Sequence, residues 1–347
     1  PTQKWEDWRF TDLSHLEKQS YQISDGLDDP VTIIDRSTYK MEGVETIVIH
    51  NGHYQKALSS HHNGIRVLTD PKHINERSDQ IKMTADDPFD LLNTAFMDSC
   101  LSLIIDRNIN LTTPVRILVI SSGIDPIMVS PRVYVDINES SSATLIEHYL
   151  GDATSTFQNS SLIFSIAENS HLDHIRIQSN PVSAQYVANL NVSLYRNSQY
   201  NFFQLSQGSG LGRSNIRVNL KEEGSQCTLN GLSLSVGNQH LDNNILVDHF
   251  APNCTSSQNF KSILDESSSG VFNGKVTVRK DAQKTDAEQT NKNLLLSKKA
   301  VINSNPQMEI YADDVRCAHG SSTGELDKDA LFYLRSRGLD TTTARSL

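Results

Sequence analysis

The chain of 347 residues carries 31 Lys and Arg against 41 Asp and Glu, a formal net charge of −10 at neutral pH. That balance argues against a chain built to coat nucleic acid, because phosphate neutralisation needs clustered cations. With 37% hydrophobic residues and no apolar run near the ~18 needed for a membrane helix, the composition is that of a globular protein with ample core.

Residues 1–110 read as a mixed α/β region. The sequence opens at Pro1, and the expectation is that further residues precede it in a longer protein. Trp5, Trp8 and Phe10 lie within six residues, a density expected to pack this segment onto its own domain. Residues 44–50 alternate like a strand. Residues 86–105 show helical spacing at Phe89, Leu91, Leu92, Ala95, Phe96, Cys100, Leu101 and Ile104, with Asp87 and Pro88 as the helix start.

Residues 111–312 have another texture. Short β-rich runs recur at 115–121, 132–135, 143–148, 161–166, 172–177, 187–195, 215–219 and 271–278, separated by Asn, Ser, Gly and Asp. A polar turn closing on Ser142, Ser170, Ser198, Ser225 and Ser269 leads each time into an alternating strand. The intervals are 28, 28, 27 and 44 residues, so the last holds an insertion or a missed copy. A period near 28 made only of strand and turn is the signature of a stacked β-solenoid, and the repeating turn chemistry favours it over a β-sandwich. The open end of such a stack is a place for a partner to add a strand.

Residues 308–312 read as a last strand, and 313–347 as a ligand-bearing polar turn at 313–320 followed by helices. Asp327 is placed to cap a helix through Ala330, Leu331, Leu334 and Arg335, with Gly338 just past its end. Residues 340–347 begin a second helix, completing most of an α-hairpin.

Few motifs carry chemistry. The four cysteines Cys100, Cys227, Cys254 and Cys317 form no CxxC pair, which excludes a zinc ribbon and suits a reducing compartment. The run 208–214 lacks a P-loop lysine, and 270–276 ends in Val276 where a magnesium-binding hydroxyl is needed, so both read as solenoid turns. His171 and His174 point to opposite faces of a strand, so they could share a metal only through a bend, and an outward His on a rung is the plainer reading. His249, between Asp248 and Cys254, reads as a satisfied polar residue. Cys317 and His319 differ: at i and i+2 of an extended stretch, just after Asp313 and Asp314, they face one side. A thiolate beside an imidazole suits iron, zinc or an iron–sulfur cluster. Two ligands make half a site, to be completed by another chain, and spacing alone leaves a packing role open.

Longer matches sharpen this reading. The stretch 289–297, then Pro306-Gln-Met-Glu-Ile-Tyr-Ala-Asp-Asp-Val-Arg-Cys-Ala-His-Gly320, then Gly324-Glu-Leu-Asp and 331–338 closely resemble the SufB/SufD family, nearer its SufD branch. Phe272-Asn273-Gly274 and the opening 1–13 fit too. The resemblance implies a mainly β fold, a right-handed parallel β-helix with a helical C-terminal region. It implies a non-catalytic scaffold subunit of the SUF assembly machine, paired with SufB through the β-helix and with the ATPase SufC through C-terminal helices. Leu331, Phe332, Leu334 and Arg335 match the SufC-docking region. The transient iron–sulfur cluster would form at the SufB interface, where His319 matches the family's histidine and Cys317 occupies the neighbouring slot. The chain itself would hold no nucleotide and engage neither nucleic acid nor membrane. Cytoplasm or plastid stroma is the implied compartment, and an open edge also allows a homodimer of the isolated chain. Competing readings are a β-helix carbohydrate lyase or hydrolase, which needs Asp173 and Asp248 in one cleft, and a purely structural partner of SufB.

Overall fold

In the regular region every second side chain of a ten-residue strand is buried, and that alternation lets two sheets face each other. The computed structural model describes residues 1–24, 41–60, 64–69, 87–97, 99–123, 126–152 and 155–346. Strands β1 (Gln22–Ile23), β2 (Glu45–His50), β3 (His53–Tyr54), β4 (Ile65–Leu68) and β5 (Cys100–Ile105) come first. They are followed by β6 (Val115–Ser121), β7 (Ile127–Val129), β8 (Arg132–Ile137), β9 (Ser142–Gly151), β10 (Thr156–Ile166), β11 (His171–Gln178), β12 (Gln185–Leu194) and β13 (Gln199–Ser206). The remainder are β14 (Leu211–Leu220), β15 (Gln226–Ser235), β16 (His240–His249), β17 (Thr255–Leu264), β18 (Ser269–Val278), β19 (Asp286–Leu295), β20 (Val301–Ile310) and β21 (Arg316–Glu325).

Successive strands alternate between the sheets. One sheet runs β20-β18-β16-β14-β12-β10-β8-β5-β4, and the other β21-β19-β17-β15-β13-β11-β9-β6-β2-β3. All these pairings are parallel except β4 with β5 and β2 with β3. The result is a β-solenoid of about 8 turns, as the periodicity predicts. Its core is the column of Leu, Ile, Val, Phe and Tyr enclosed between the two sheets. One end finishes in short antiparallel strands, and at the other the outer edges of β20 and β21 have no neighbouring strand among the described residues.

The turns explain the serine repeat. Asn108, Ser140, Asn169, Asn197 and Asn253 adopt left-handed φ between 53° and 60°, a conformation that asparagine tolerates better than most side chains. In the turns leading into β9, β11, β13, β15, β17 and β19, the residue after the left-handed one is small and buried: Ser141, Ser170, Ser198, Ser225 after Gly224, then Cys254 and Thr285. The hydroxyls of Ser198, Ser225 and Thr285 donate to the carbonyls of Tyr195, Glu222 and Ala282 at 2.7–2.9 Å, closing each turn. The interval of 44 is therefore a missed copy. Thr255 continues the ladder after Gln226, with Cys254 in the serine slot, whereas Ser269 starts a strand of the opposite sheet.

The N-terminal aromatic segment does pack onto its own chain. Trp8 is buried with its ring 5.1 Å from Phe89 and 3.7 Å from the Arg213 guanidinium, while Trp5 stays exposed. Arg213 is itself paired with Asp242, which accepts from Thr11 at 2.5 Å. Helix α1 spans Ser14–Lys18. Helix α2 spans Pro88–Phe96, and the Asp87 carboxylate accepts from the amides of Phe89 and Asp90 as the sequence predicts. The helix stops at Phe96, which corrects the expected run to 105. Cys100, Leu101 and Ile104 keep helical spacing by coincidence, and pairing of β5 with β8 claims them for a sheet. Residue 86 lies outside the described residues.

Two turn expectations also change. Residues 270–276 lie within β18, where a Cβ at Gly270 would meet Ile302 at 2.8 Å and one at Gly274 would meet Gln289 at 2.3 Å. Residues 316–320 belong to β21, so Cys317 and His319 sit on a strand rather than in a polar turn. Beyond it, helix α3 (Lys328–Ser336) is capped by Asp327, Gly338 follows with φ 93°, and α4 (Thr341–Ser346) completes the hairpin. Among the described residues no helix is long and apolar enough to cross a membrane.

Candidate functional site

Strand β21 brings Cys317 and His319 together at the open end. Their partners in register are Ala287 and Gln289, both buried inside the solenoid, so the two side chains project inward over the last covered turn. Cys317 is half-buried and packs on the core, and His319 is exposed. The surroundings are polar: Ser304 donates to Asn291 at 2.8 Å and bonds Ser321 at 2.8 Å, and Asn293 donates to Thr323 at 3.4 Å. Burial and the nearby Asp286 push the Cys317 thiol up, against a lowering backbone contact at Ala287. Cys317 is thus a protonated thiol at neutral pH, and a metal must displace its proton to bind it.

The flanking acids do not join this pair. Asp314 is ion-paired with Lys284, and Asp313 is exposed. Among the described residues no three of His, Cys, Asp and Glu converge as a metal set. Cys317 and His319 are two soft donors on an edge.

The other candidates resolve individually. His171 faces outward, but His174 does not. It is buried on the opposite face, as the spacing predicts, and held by Glu147 at 2.9 Å and Tyr200 at 2.9 Å. Asp248 accepts two hydrogen bonds from Arg279 at 2.6–2.9 Å and lines a polar cleft of about 530 Å³ on the outer face of the β12–β20 sheet. Asp173 lies on β11 of the other sheet, bonded to His171 and Asn201, so the carboxylate pair a carbohydrate-active site requires is not assembled there. Leu331, Phe332 and Arg335 line a groove of about 430 Å³ with Leu295, Leu296 and Thr341; Leu334 lies outside that lining. Cys227 and Cys254 are buried thiols, both pushed up by burial.

His249 is a satisfied core residue, bonded to Ser256 at 2.9 Å. Burial lowers its pKa to about 4, against the opposing effect of Asp248. The unfolded chain, near 6.5, therefore takes up the proton first, and stability falls as pH drops from 6.5 towards 4. The expected loss is on the order of 3 kcal/mol over that window. In a His249→Gln variant, urea midpoints measured from pH 7 to pH 4 should decline less steeply than in the parent; equal slopes would refute the assignment.

Sequence reasoning missed the inward partners of the edge pair, Gln258, Gln289 and Gly274. The two glutamines signal themselves by recurrence at about one solenoid turn, Gln258 to Gln289 to His319, which becomes meaningful once the register is known.

Comparison with known proteins bears on the chain as a whole. The profile of the SUF system FeS cluster assembly SufBD core domain matches residues 119–347. An iron–sulfur cluster assembly SufBD family protein of Synechocystis is 30% identical over 367 residues, covering 100% of this chain and 81% of that protein. The iron–sulfur cluster assembly protein SufD of Escherichia coli is 30% identical over 355 residues, covering 100% of this chain and 82% of its own length. A chloroplastic protein of Arabidopsis thaliana is 34% identical over 221 residues, 62% of this chain and 46% of that protein.

Proposed function

We propose, from the premise that the chain belongs to the SufBD family of iron–sulfur cluster assembly proteins and is SufD-like, that it is a non-catalytic scaffold subunit whose open solenoid end pairs with SufB. The observation that carries this reading is the placement of Cys317 and His319 on the free edge strand β21. A SufB strand added there would bring its own ligands against an imidazole and a thiol of this chain, and together they would hold the nascent cluster. The cluster is cargo, built and passed on. His319 would serve as a neutral ligand through one ring nitrogen, with Cys317 joining once its proton is displaced.

The SufC ATPase would dock on the C-terminal hairpin. The groove beside Phe332, which is 73% exposed, and Arg335 supplies an apolar surface with a cationic rim. The chain itself would leave nucleotide binding to SufC. Cytoplasm or plastid stroma is the proposed compartment, in keeping with a chloroplastic relative.

The test is co-expression with SufB and SufC, with and without His319→Ala, reading bound iron, sulfide and visible absorbance on the anaerobically purified complex. The expected result is an intact complex that has lost most of its cluster. An intact complex with unchanged iron and sulfide would reject His319 as a ligand and leave the subunit a purely architectural partner.

A further inference from the structure

Three inward positions stack in register on β17, β19 and β21: Gln258, Gln289 and His319. The first two are buried to within 1%. Neighbouring parallel strands are about 4.8 Å apart, so side chains in such a row reach one another along the solenoid axis. The Gln289 amide nitrogen donates back to the Gln258 carbonyl oxygen at 3.1 Å. Its own Oε1 is buried and has no hydrogen-bond partner. Gly274 makes the room: a Cβ there would lie 2.3 Å from the Gln289 amide nitrogen. With its nitrogen committed to the preceding rung and tucked against Gly274, the amide keeps its oxygen as the group left over for the following rung. The side chain in register on that rung is His319, whose ring has no hydrogen-bond partner among the described residues.

We propose that Gln289 is a positioning residue for His319. Its Oε1 accepts the N–H of one ring nitrogen, which fixes a single neutral tautomer and presents the other nitrogen as a lone pair at the solenoid's open end. A buried acceptor without a partner calls for an explanation, and an oriented second nitrogen is the usual support of a histidine that binds metal. The amide row gives this support a direction: Gln258 holds Gln289, and Gln289 holds His319. Gly274, within the Phe272-Asn273-Gly274 run, serves it by having no side chain. The proposal rests on the reading of His319 as a cluster ligand, but its geometry does not depend on a cluster being present.

The test uses the full chain labelled with ¹⁵N-histidine, with His319 assigned by its loss in His319→Ala. At a pH where the imidazole is neutral, the two ring nitrogens should be widely split, one protonated and one not. In Gln289→Met, similar in length but without the acceptor, the splitting should collapse towards the average of two exchanging tautomers. In Gln289→Glu the acceptor returns, Gln258 can turn its unpartnered amide nitrogen to meet it, and the wide splitting should be restored. A wild-type His319 already averaged, or a splitting unchanged in Gln289→Met, overturns the proposal. Should Gln289→Met fail to fold, the wild-type splitting and the Gln289→Glu spectrum decide it.

Iron retention in the complex with SufB and SufC is read separately, and Gln289→Met should lower it about tenfold or more. A locked tautomer together with cluster yield indifferent to His319→Ala would sink the ligand reading and leave the positioning intact. The reverse pattern would sink the positioning and leave the ligand.

Discussion

Replacing Glu147 with alanine is expected to lower the stability of the solenoid by about 3–5 kcal/mol, the range for stranding one partner of a buried ion pair. Glu147 lies in the core of β9 with no exposed surface and accepts from Arg176 at 2.9 Å, His174 at 2.9 Å and the Tyr149 hydroxyl. Arg176 is equally buried, and its two terminal nitrogens have no hydrogen-bond partner, so the carboxylate is its counter-charge. Burial alone would push the Glu147 carboxyl up, but the guanidinium and the His174 hydrogen bond outweigh it and hold it at about 2, below the ordinary 4.5. A carboxyl lowered on folding stabilises the protein above its unfolded value. That contribution, about 3 kcal/mol for a shift of this size, is present above pH 4.5 and lost as pH falls towards 2. The exposed pair Arg66–Asp106 at 2.7 Å offers the contrast, since its loss should cost at most about 1 kcal/mol. Urea denaturation followed by circular dichroism at pH 7 measures both. The double change Glu147→Leu with Arg176→Met should recover much of the loss, because neither charge is left alone. A drop below about 1 kcal/mol in Glu147→Ala would show that the network is dispensable.

The second large effect concerns the edge. Arg316 donates its amide to Thr285 of the preceding rung at 2.9 Å. Parallel pairing alternates, so Ala318, Gly320, Ser322 and Gly324 also turn their amides to β19, while those of Cys317, His319, Ser321 and Thr323 face outward. Proline at Ser321 would therefore leave the bonds to β19 in place, remove one outward donor and set a ring where a partner strand must lie. The proposed pairing with SufB should weaken by about a hundredfold or more, from an orphaned acceptor on the partner at roughly 1–3 kcal/mol plus steric exclusion. Ser321→Ala is the control. It loses only the bond to Ser304 and should bind nearly as the parent does. Titration of SufB by calorimetry, with far-ultraviolet circular dichroism to verify folding, measures both variants. Equal affinity in Ser321→Pro would show that SufB does not extend this sheet.

Much of the architecture was legible because turn chemistry repeats along with strand spacing. Ser170, Ser198 and Ser225 announce buried hydroxyls that close turns, and each stands after a residue with positive φ. Cys254 broke the pattern by composition only, since the thiol fills the same slot. Helix α2 was legible at its start, where Asp87 and Pro88 act locally, and misread at its end, where β8 competes from thirty residues away. The edge pair was legible because i and i+2 in an extended chain face one side. The Glu147, His174 and Arg176 cluster was not: charged residues do not read as core, and only the pairing of β9 with β11 brings position 147 beside 176. Gln289 escaped for the same reason, its importance lying in neighbours one full turn away.

The two ends of the solenoid differ, and the difference limits how far association can go. Polymer chemistry distinguishes a monomer with two reactive ends, which grows without limit, from one with a single reactive end, which couples once and stops. Here β21 presents a ten-residue strand for coupling, whereas β3 and β4 are antiparallel strands of two and four residues that act as chain terminators. Two subunits built in this way and joined end to end consume both reactive edges in one seam. The product would be a finite pair instead of a fibre, and whatever the proposed seam assembles would be built once per pair.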